Sequence, residues 1–256
     1  MVGVKRLGIL GGLSWASSQQ YYETINLEVL RLTGGAHAAD LVLWSFDFTE
    51  FEQLIAAGNW RAMARLLQDS IDRLMSCQVE GLLIASNTVH RVLEQADLNF
   101  PVPFVDIRDS LLNELHRLRV DRIGFVGTSA TMGGDIYRHL FDGSDGIDVV
   151  LPPKDLWADI DDMIFNGLCR GLRRDGDQKL ARRGMQWFKK QGIRHVALGC
   201  TELNLLRIET AGITLLDTSE IHARDAARWS VGSSEVRVRN ATERNDRKPP
   251  VALRLS

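Results

Sequence analysis

Two short segments of this chain carry the groups best suited to moving a proton. Ser86 stands in Ala-Ser-Asn-Thr-Val-His (85–90), directly after the apolar run Gly81–Ile84. Cys200 stands in Gly-Cys-Thr-Glu-Leu (199–203), directly after Val196–Leu198. The layout is shared: a strand-length apolar run, a small hydroxyl or sulfur residue, then Asn-Thr or Thr-Glu. Two such groups at matching strand ends suit chemistry on a substrate held between them. A thiol is a usable acid and base near neutral pH. A hydroxyl is a much weaker base and serves better as a donor to a carbanion already formed. Backbone N–H groups of a helix starting after Cys200 are expected to stabilise its thiolate and lower its pKa from about 8.5. Cys77 and Cys169 fall in helical stretches and read as ordinary packing residues.

Further polar groups cluster at two other strand ends. Gly11-Gly12-Leu13-Ser14 closes the first apolar run, and paired glycines allow a backbone to approach a ligand closely. Gly127-Thr128-Ser129-Ala130-Thr131 is its counterpart in the second half. Hydroxyls and N–H groups at facing strand ends can hold a carboxylate, and equally can be simple helix caps. His90 lies four residues past Ser86 and could share its face, although a buried structural role is the commoner one. His222 has the same status.

The elements that must position these groups alternate. Strands are expected at Lys5–Leu10, Asp40–Ser45, Gly81–Ala85 and Val102–Val105, and helices at Ser17–Leu32, Trp60–Met75, Thr88–Ala96 and Ser110–Leu118. The order then repeats: strands at Arg122–Gly127, Val149–Leu151 and His195–Leu198, helices at Met132–Phe141, Ile160–Cys169 and Gln178–Gln191. Ser86 and Cys200 lie 114 residues apart, Gly11 and Gly127 116 apart. One offset for two features points to two similar Rossmann-like α/β domains with parallel sheets, pseudo-symmetric, with a site in the cleft between them. The expected division is residues 1–105 plus 212–230 for the first domain and 106–211 for the second. Leu215–Trp229 is expected to return to the first half as a strand and closing helix. Residues 231–256 are expected to form a flexible basic tail.

Composition narrows the function. The 256 residues carry a net charge of -2, which gives no basic field for nucleic acid. No apolar run reaches the roughly 18–20 residues of a membrane helix, and the N-terminus runs straight into a strand. The three cysteines have no C-x-x-C spacing, and the six histidines show no metal spacing such as H-E-x-x-H, so neither a disulfide framework nor a metal site is expected. A reducing, cytoplasmic setting fits.

Taken as a set, Gly-Ile-Leu-Gly-Gly-Leu-Ser-Trp (8–15), Tyr21-Tyr22 with Ile25-Asn26, Ser-Asn-Thr-Val-His (86–90), Gly-Thr-Ser-Ala-Thr-Met (127–132), Gly-Cys-Thr-Glu (199–202) and Asp217…His222 resemble the aspartate/glutamate racemase family. The resemblance covers residues 4 to about 230. It implies amino-acid racemisation without pyridoxal phosphate or any other cofactor, with one acid/base residue per domain. Those positions are Ser86 and Cys200 here. It also implies that Leu13, Ser14, Asn87, Thr88, Thr131 and Thr201 bind the α-carboxylate and ammonium, with Thr128, Asp159 and Glu202 completing the expected substrate-binding set. Relatives are often dimers, so a homodimer is an expectation of the resemblance.

Three residues depart from the family pattern. Serine replaces the usual first cysteine; a branch resembling the L-specific racemases carries threonine there. Asp159 stands where relatives place a lysine, and Phe48 where they place a basic or polar residue. Two expected partners of a side-chain carboxylate are therefore missing, and a substrate other than aspartate or glutamate stays open. Two alternatives also stay open: a single-cysteine decarboxylase or isomerase resembling the arylmalonate decarboxylases, and a catalytically silent amino-acid-binding homologue.

Overall fold

The computed structural model describes residues 3–134, 137, 146–206, 208 and 212–239. The first half builds β1 (Leu7–Gly11), α1 (Trp15–Thr33), β2 (Leu41–Ser45), α2 (Phe48–Ala56), α3 (Trp60–Met75), β3 (Gly81–Ile84), a 3₁₀ turn (Thr88–Arg91) running into α4 (Val92–Gln95), and β4 (Phe104–Val105). After α5 (Ile107–Leu118), the second half builds β5 (Arg122–Val126), α6 (Ser129–Gly133), β6 (Asp148–Val150), α7 (Trp157–Asp161), α8 (Asp175–Lys190), β7 (His195–Leu198), β8 (Thr214–Asp217) and α9 (Thr218–Ser230).

Each half holds a four-stranded parallel sheet, and the strand orders match: β2-β1-β3-β4 and β6-β5-β7-β8. The strands that deliver Ser86 and Cys200, β3 and β7, are equivalents. In such an order the connections leave in opposite directions on either side of the β1/β3 and β5/β7 pairs, which opens a crevice at those carboxyl ends. β1 is buried along its whole length, as a parallel strand covered on both faces must be. One face packs Leu10, Leu82 and Ile84 on Phe51, Met63, Leu67 and Ile71; the other packs Leu7 and Ile9 on Tyr21, Ile25, Ala223 and Trp229.

Several expectations need correction. The strand Thr214–Asp217 does not join the first sheet: it pairs in parallel with β7, and only α9 crosses over to pack on α1 and α5. α5 itself serves both halves, since Leu111, Leu112 and Leu115 lie in the second core. α2 was not expected from the sequence, although Asp47 caps it through Thr49 N at 3.0 Å. β4 is only two residues long, because Pro101 and Pro103 lack the N–H groups a longer ladder needs. The expected helix Ile160–Cys169 is α7 followed by a π-helical turn over Asp162–Gly167 and a 3₁₀ turn over Leu168–Arg170. Only the first part of the expected helix Met132–Phe141 falls within the described residues.

The start of the expected tail is docked. Arg239 pairs antiparallel with Phe104 through two backbone hydrogen bonds of 2.9 Å, and Val236 is buried against the first sheet. The Arg239 guanidinium reaches Asp109 at 2.9 Å and the fully buried Asp106 at 3.1 Å. Residues 240–256 lie outside the described residues.

Candidate active site between the two sheets

Side chains from both halves meet in one seam. The Thr88 hydroxyl lies 3.1 Å from that of Thr128 and 2.9 Å from that of Thr131. Asn87 donates through Nδ2 to Thr218 at 2.8 Å and accepts at Oδ1 from the Tyr137 hydroxyl. The Ser17 hydroxyl, at the start of α1, contacts that of Thr201 and donates to Glu202 at 3.1 Å. Buried polar groups are stable when they satisfy one another in this way.

The seam opens into a narrow pocket of about 30 Å³. Ser86 and Cys200 both line it, with Leu13, Asn87, Thr88, Thr128, Thr201 and Glu202. Of the expected set, Ser14 and Thr131 stand behind these residues rather than on the wall. Thr131 is buried and joined to Thr88 and Thr128. Ser14 caps α1 with φ 130, a region that non-glycine residues rarely adopt, and so holds the turn that aims Leu13. Asp159 does not join the site: it is exposed on α7 and is not on the pocket wall. Its neighbour Asp161 instead accepts a hydrogen bond from Ser129 N at 2.7 Å.

Two glycines permit this construction. Gly12 has φ +73, and a Cβ there would stand 2.3 Å from the backbone N and O of Phe46. At Gly199, a Cβ would stand 2.1 Å from the Phe125 ring, so Cys200 can occupy its place only behind a residue without a side chain.

The electrostatics of Cys200 overturn the expectation of a lowered pKa. Burial pushes the thiol well above its ordinary range, and the Glu202 carboxylate pushes it further. The thiol donates to Glu202 Oε2 at 2.9 Å, and the Thr201 hydroxyl donates to the same oxygen at 2.8 Å. Cys200 therefore rests as a protonated thiol beside a buried carboxylate. Residues 201–206 form only a short 3₁₀ turn, too little helix to outweigh those two effects. The Ser86 hydroxyl accepts from Val89 N at 3.3 Å, the capping role open to a serine there.

Both histidines are structural. His90 is fully buried, donates from Nδ1 to the Ser86 carbonyl, and is pushed down to about 3, chiefly by burial. His222 is pushed down to about 4 by burial; its Nε2–H donates to Val105 O at 3.0 Å while Nδ1 accepts from Tyr21 at 2.8 Å. Beyond Phe48, the sequence did not reveal the apolar side of the pocket. Phe48 and Ile55 come from α2, and Ile164, Phe165 and Cys169 from the π-helical and 3₁₀ turns. Cys169 packs against the second core, as expected, and also lines the pocket.

Residues 10–226 match the Asp/Glu/Hydantoin racemase family. The chain belongs to that family. It is 27% identical to a glutamate racemase of Parafrankia sp. over 193 residues, 73% of this chain and 65% of that protein, so the match spans just under two thirds of the relative. A solved structure from Yersinia pestis, described as a candidate Asp/Glu racemase, superposes with a TM-score of 0.78 at 33% identity, covering 88% of this chain and 99% of that one. An aspartate racemase homologue from Pyrococcus horikoshii OT3 superposes with a TM-score of 0.70 at 28% identity, again covering 88% and 99%. The two-domain α/β fold expected from the sequence is the fold of these racemase structures. No helix among the described residues is long and apolar enough to cross a membrane.

Proposed function

We propose that this chain racemises a free α-amino acid without pyridoxal phosphate, exchanging the α-proton with Cys200 on one face and Ser86 on the other. The observation that carries this reading is that both residues, delivered by the equivalent strands β3 and β7, line one pocket. Family membership supports racemase chemistry. The free thiols of Cys77, Cys169 and Cys200 suit a reducing, cytoplasmic setting.

An α-proton is too weakly acidic to leave unassisted, so charge developing on the carboxylate needs donors. The backbone and hydroxyls around Asn87, Thr88, Thr128 and Thr201 supply them. Cys200 and Glu202 act as a pair sharing one proton. With the thiol protonated and Glu202 ionised, Cys200 delivers a proton to the carbanion. With that proton on Glu202, the Cys200 thiolate removes the α-proton and becomes a thiol again. On the other face the Ser86 hydroxyl donates its proton to the carbanion when Cys200 abstracts, and abstracts as the alkoxide when Cys200 donates, its proton being exchanged with solvent between turnovers. As the poorer base, it makes turnover slower in the direction where it abstracts.

The test is chiral chromatography of single enantiomers incubated with the protein and no added pyridoxal phosphate. Appearance of the opposite enantiomer, lost in Cys200→Ala, supports the reading; inversion that survives Cys200→Ala contradicts it. A second reading is favoured by one observation: the Ser86 hydroxyl is engaged as a cap to Val89, and among the described residues no carboxylate or imidazole is hydrogen-bonded to it. A one-sided enzyme, in which loss of carbon dioxide makes the carbanion and Cys200 protonates it, would need no second base. Carbon dioxide release from substituted malonates distinguishes the two.

A further inference from the structure

The pocket wall is chemically divided. Its polar groups come from the strand-end turns and the start of α1, among them Ser17, Ser86, Asn87, Thr88, Thr201 and Glu202. Leu13, Ala85 and Val89 add small apolar surface on that side, and the larger apolar groups come from α2 and the turns after α7: Phe48, Ile55, Ile164 and Phe165. Glu202 is the one charged residue on this wall among the described residues, and it is negative. The hydroxyls of Thr88 and Thr128 and the amide of Asn87 are already bonded across the seam. The polar side can therefore hold one carboxylate head and an ammonium near Glu202, with little left for a second anion.

A side-chain carboxylate would have to lie against phenylalanine and isoleucine, with no counter-charge and with Glu202 repelling it. Burying an unpaired carboxylate is strongly unfavourable. An apolar side chain in the same place gains from the surface it removes from water. The adjoining outer cavity, which shares Cys169, adds Trp15 and Leu172 as exposed apolar groups and one charge of each sign, Glu23 and Arg173.

We infer that the substrate is an α-amino acid with an uncharged, apolar side chain, seated against Phe48, Ile55, Ile164 and Phe165. This rests on the racemase reading of the same pocket. The π-helical turn at 162–167 is the specificity element, because its looser winding carries Ile164 and Phe165 on the same stretch of wall as Cys169.

The experiment follows Cα–H exchange by proton NMR in heavy water for both enantiomers of leucine, methionine and phenylalanine, and of aspartate and glutamate. Exchange of an apolar amino acid at least tenfold faster than of either acidic one is expected. Aspartate or glutamate exchanging as fast or faster overturns the inference while leaving racemisation standing. If no amino acid exchanges, the racemase reading fails, and calorimetric binding of the same panel decides the pocket's preference. Tighter binding of the apolar members then supports the inference, and tighter binding of the acidic members, or none at all, overturns it.

Discussion

The Cys200 thiol and the Glu202 carboxylate lie 2.9 Å apart, two residues along one turn, with Glu202 buried and held by Ser17 and Thr201. Ser17 comes from the first half and the other three residues from the second. The acid/base character of the thiol is thus set by a contact between the halves.

Glu202→Gln separates the two effects of that carboxylate. Removing its charge relieves the repulsion that raises the thiol, so the pKa read from the pH profile of iodoacetamide alkylation falls. The amide cannot take the thiol proton, so exchange on the Cys200 face slows by about 10²-fold or more. A lower pKa with undiminished exchange would show that Glu202 is no proton partner.

Ser86 is tested by substitution in both directions. Ser86→Ala is expected to stop proton transfer on its own face while Cys200 still exchanges the α-proton of one enantiomer. Ser86→Cys is expected to raise turnover and to bring the two directions closer to equal rate. Proton NMR of Cα–H exchange in heavy water reads the first, for each enantiomer, and chiral chromatography reads the second. Equal loss on the two faces in Ser86→Ala would mean that Ser86 only shapes the turn.

The two buried histidines predict a pH dependence of stability. Their folded pKa values, about 3 and about 4, lie below the ordinary 6.5. Between those limits the unfolded chain binds more protons, so their contribution is complete above pH 6.5 and is lost as pH falls. Each adds a slope of about 1.4 kcal/mol per pH unit. Urea midpoints should therefore fall less steeply from pH 6.5 to 5 in His222→Gln than in the wild type, whatever that variant's absolute stability. An unchanged slope would mean that His222 is not buried in its neutral form.

Gly199→Ala is expected to destabilise the fold by about 1–3 kcal/mol or more, through the clash of its Cβ with Phe125, and to displace Cys200. Thermal melting and exchange rate should fall together. A stable variant with normal exchange would contradict the tight placement of the Gly199-Cys200 turn.

The paired strands, their repeat, and Ser86 with Cys200 were legible in the sequence, because a buried parallel strand ending in a polar turn leaves a local signature. The rest depends on long-range contacts. The sequence around Cys200 suggested an activated thiolate, but whether 201–206 would be a regular helix and where the Glu202 carboxylate would point depend on Ser17, far away in the chain. Thr214–Asp217 has the same apolar look whichever sheet it joins; its pairing with β7 decides. Apart from Phe48, the apolar wall was hidden because Ile164 and Phe165 come from a π-helical stretch, whose period is not the one a helical pattern is read with. Arg239 lies in a polar, arginine-rich segment, and its docking rests on the buried Asp106 and Asp109, the backbone pair with Phe104 and the buried Val236, none of them legible locally.

The central claim is that Cys200 carries the α-proton. Its most direct test is deuterium incorporation at Cα in heavy water, for wild type and Cys200→Ala, using each enantiomer of the amino acid that exchanges fastest. The account predicts exchange in the wild type and its loss in Cys200→Ala for both enantiomers, in a variant that melts like the wild type. Exchange that persists in the folded Cys200→Ala protein would contradict it.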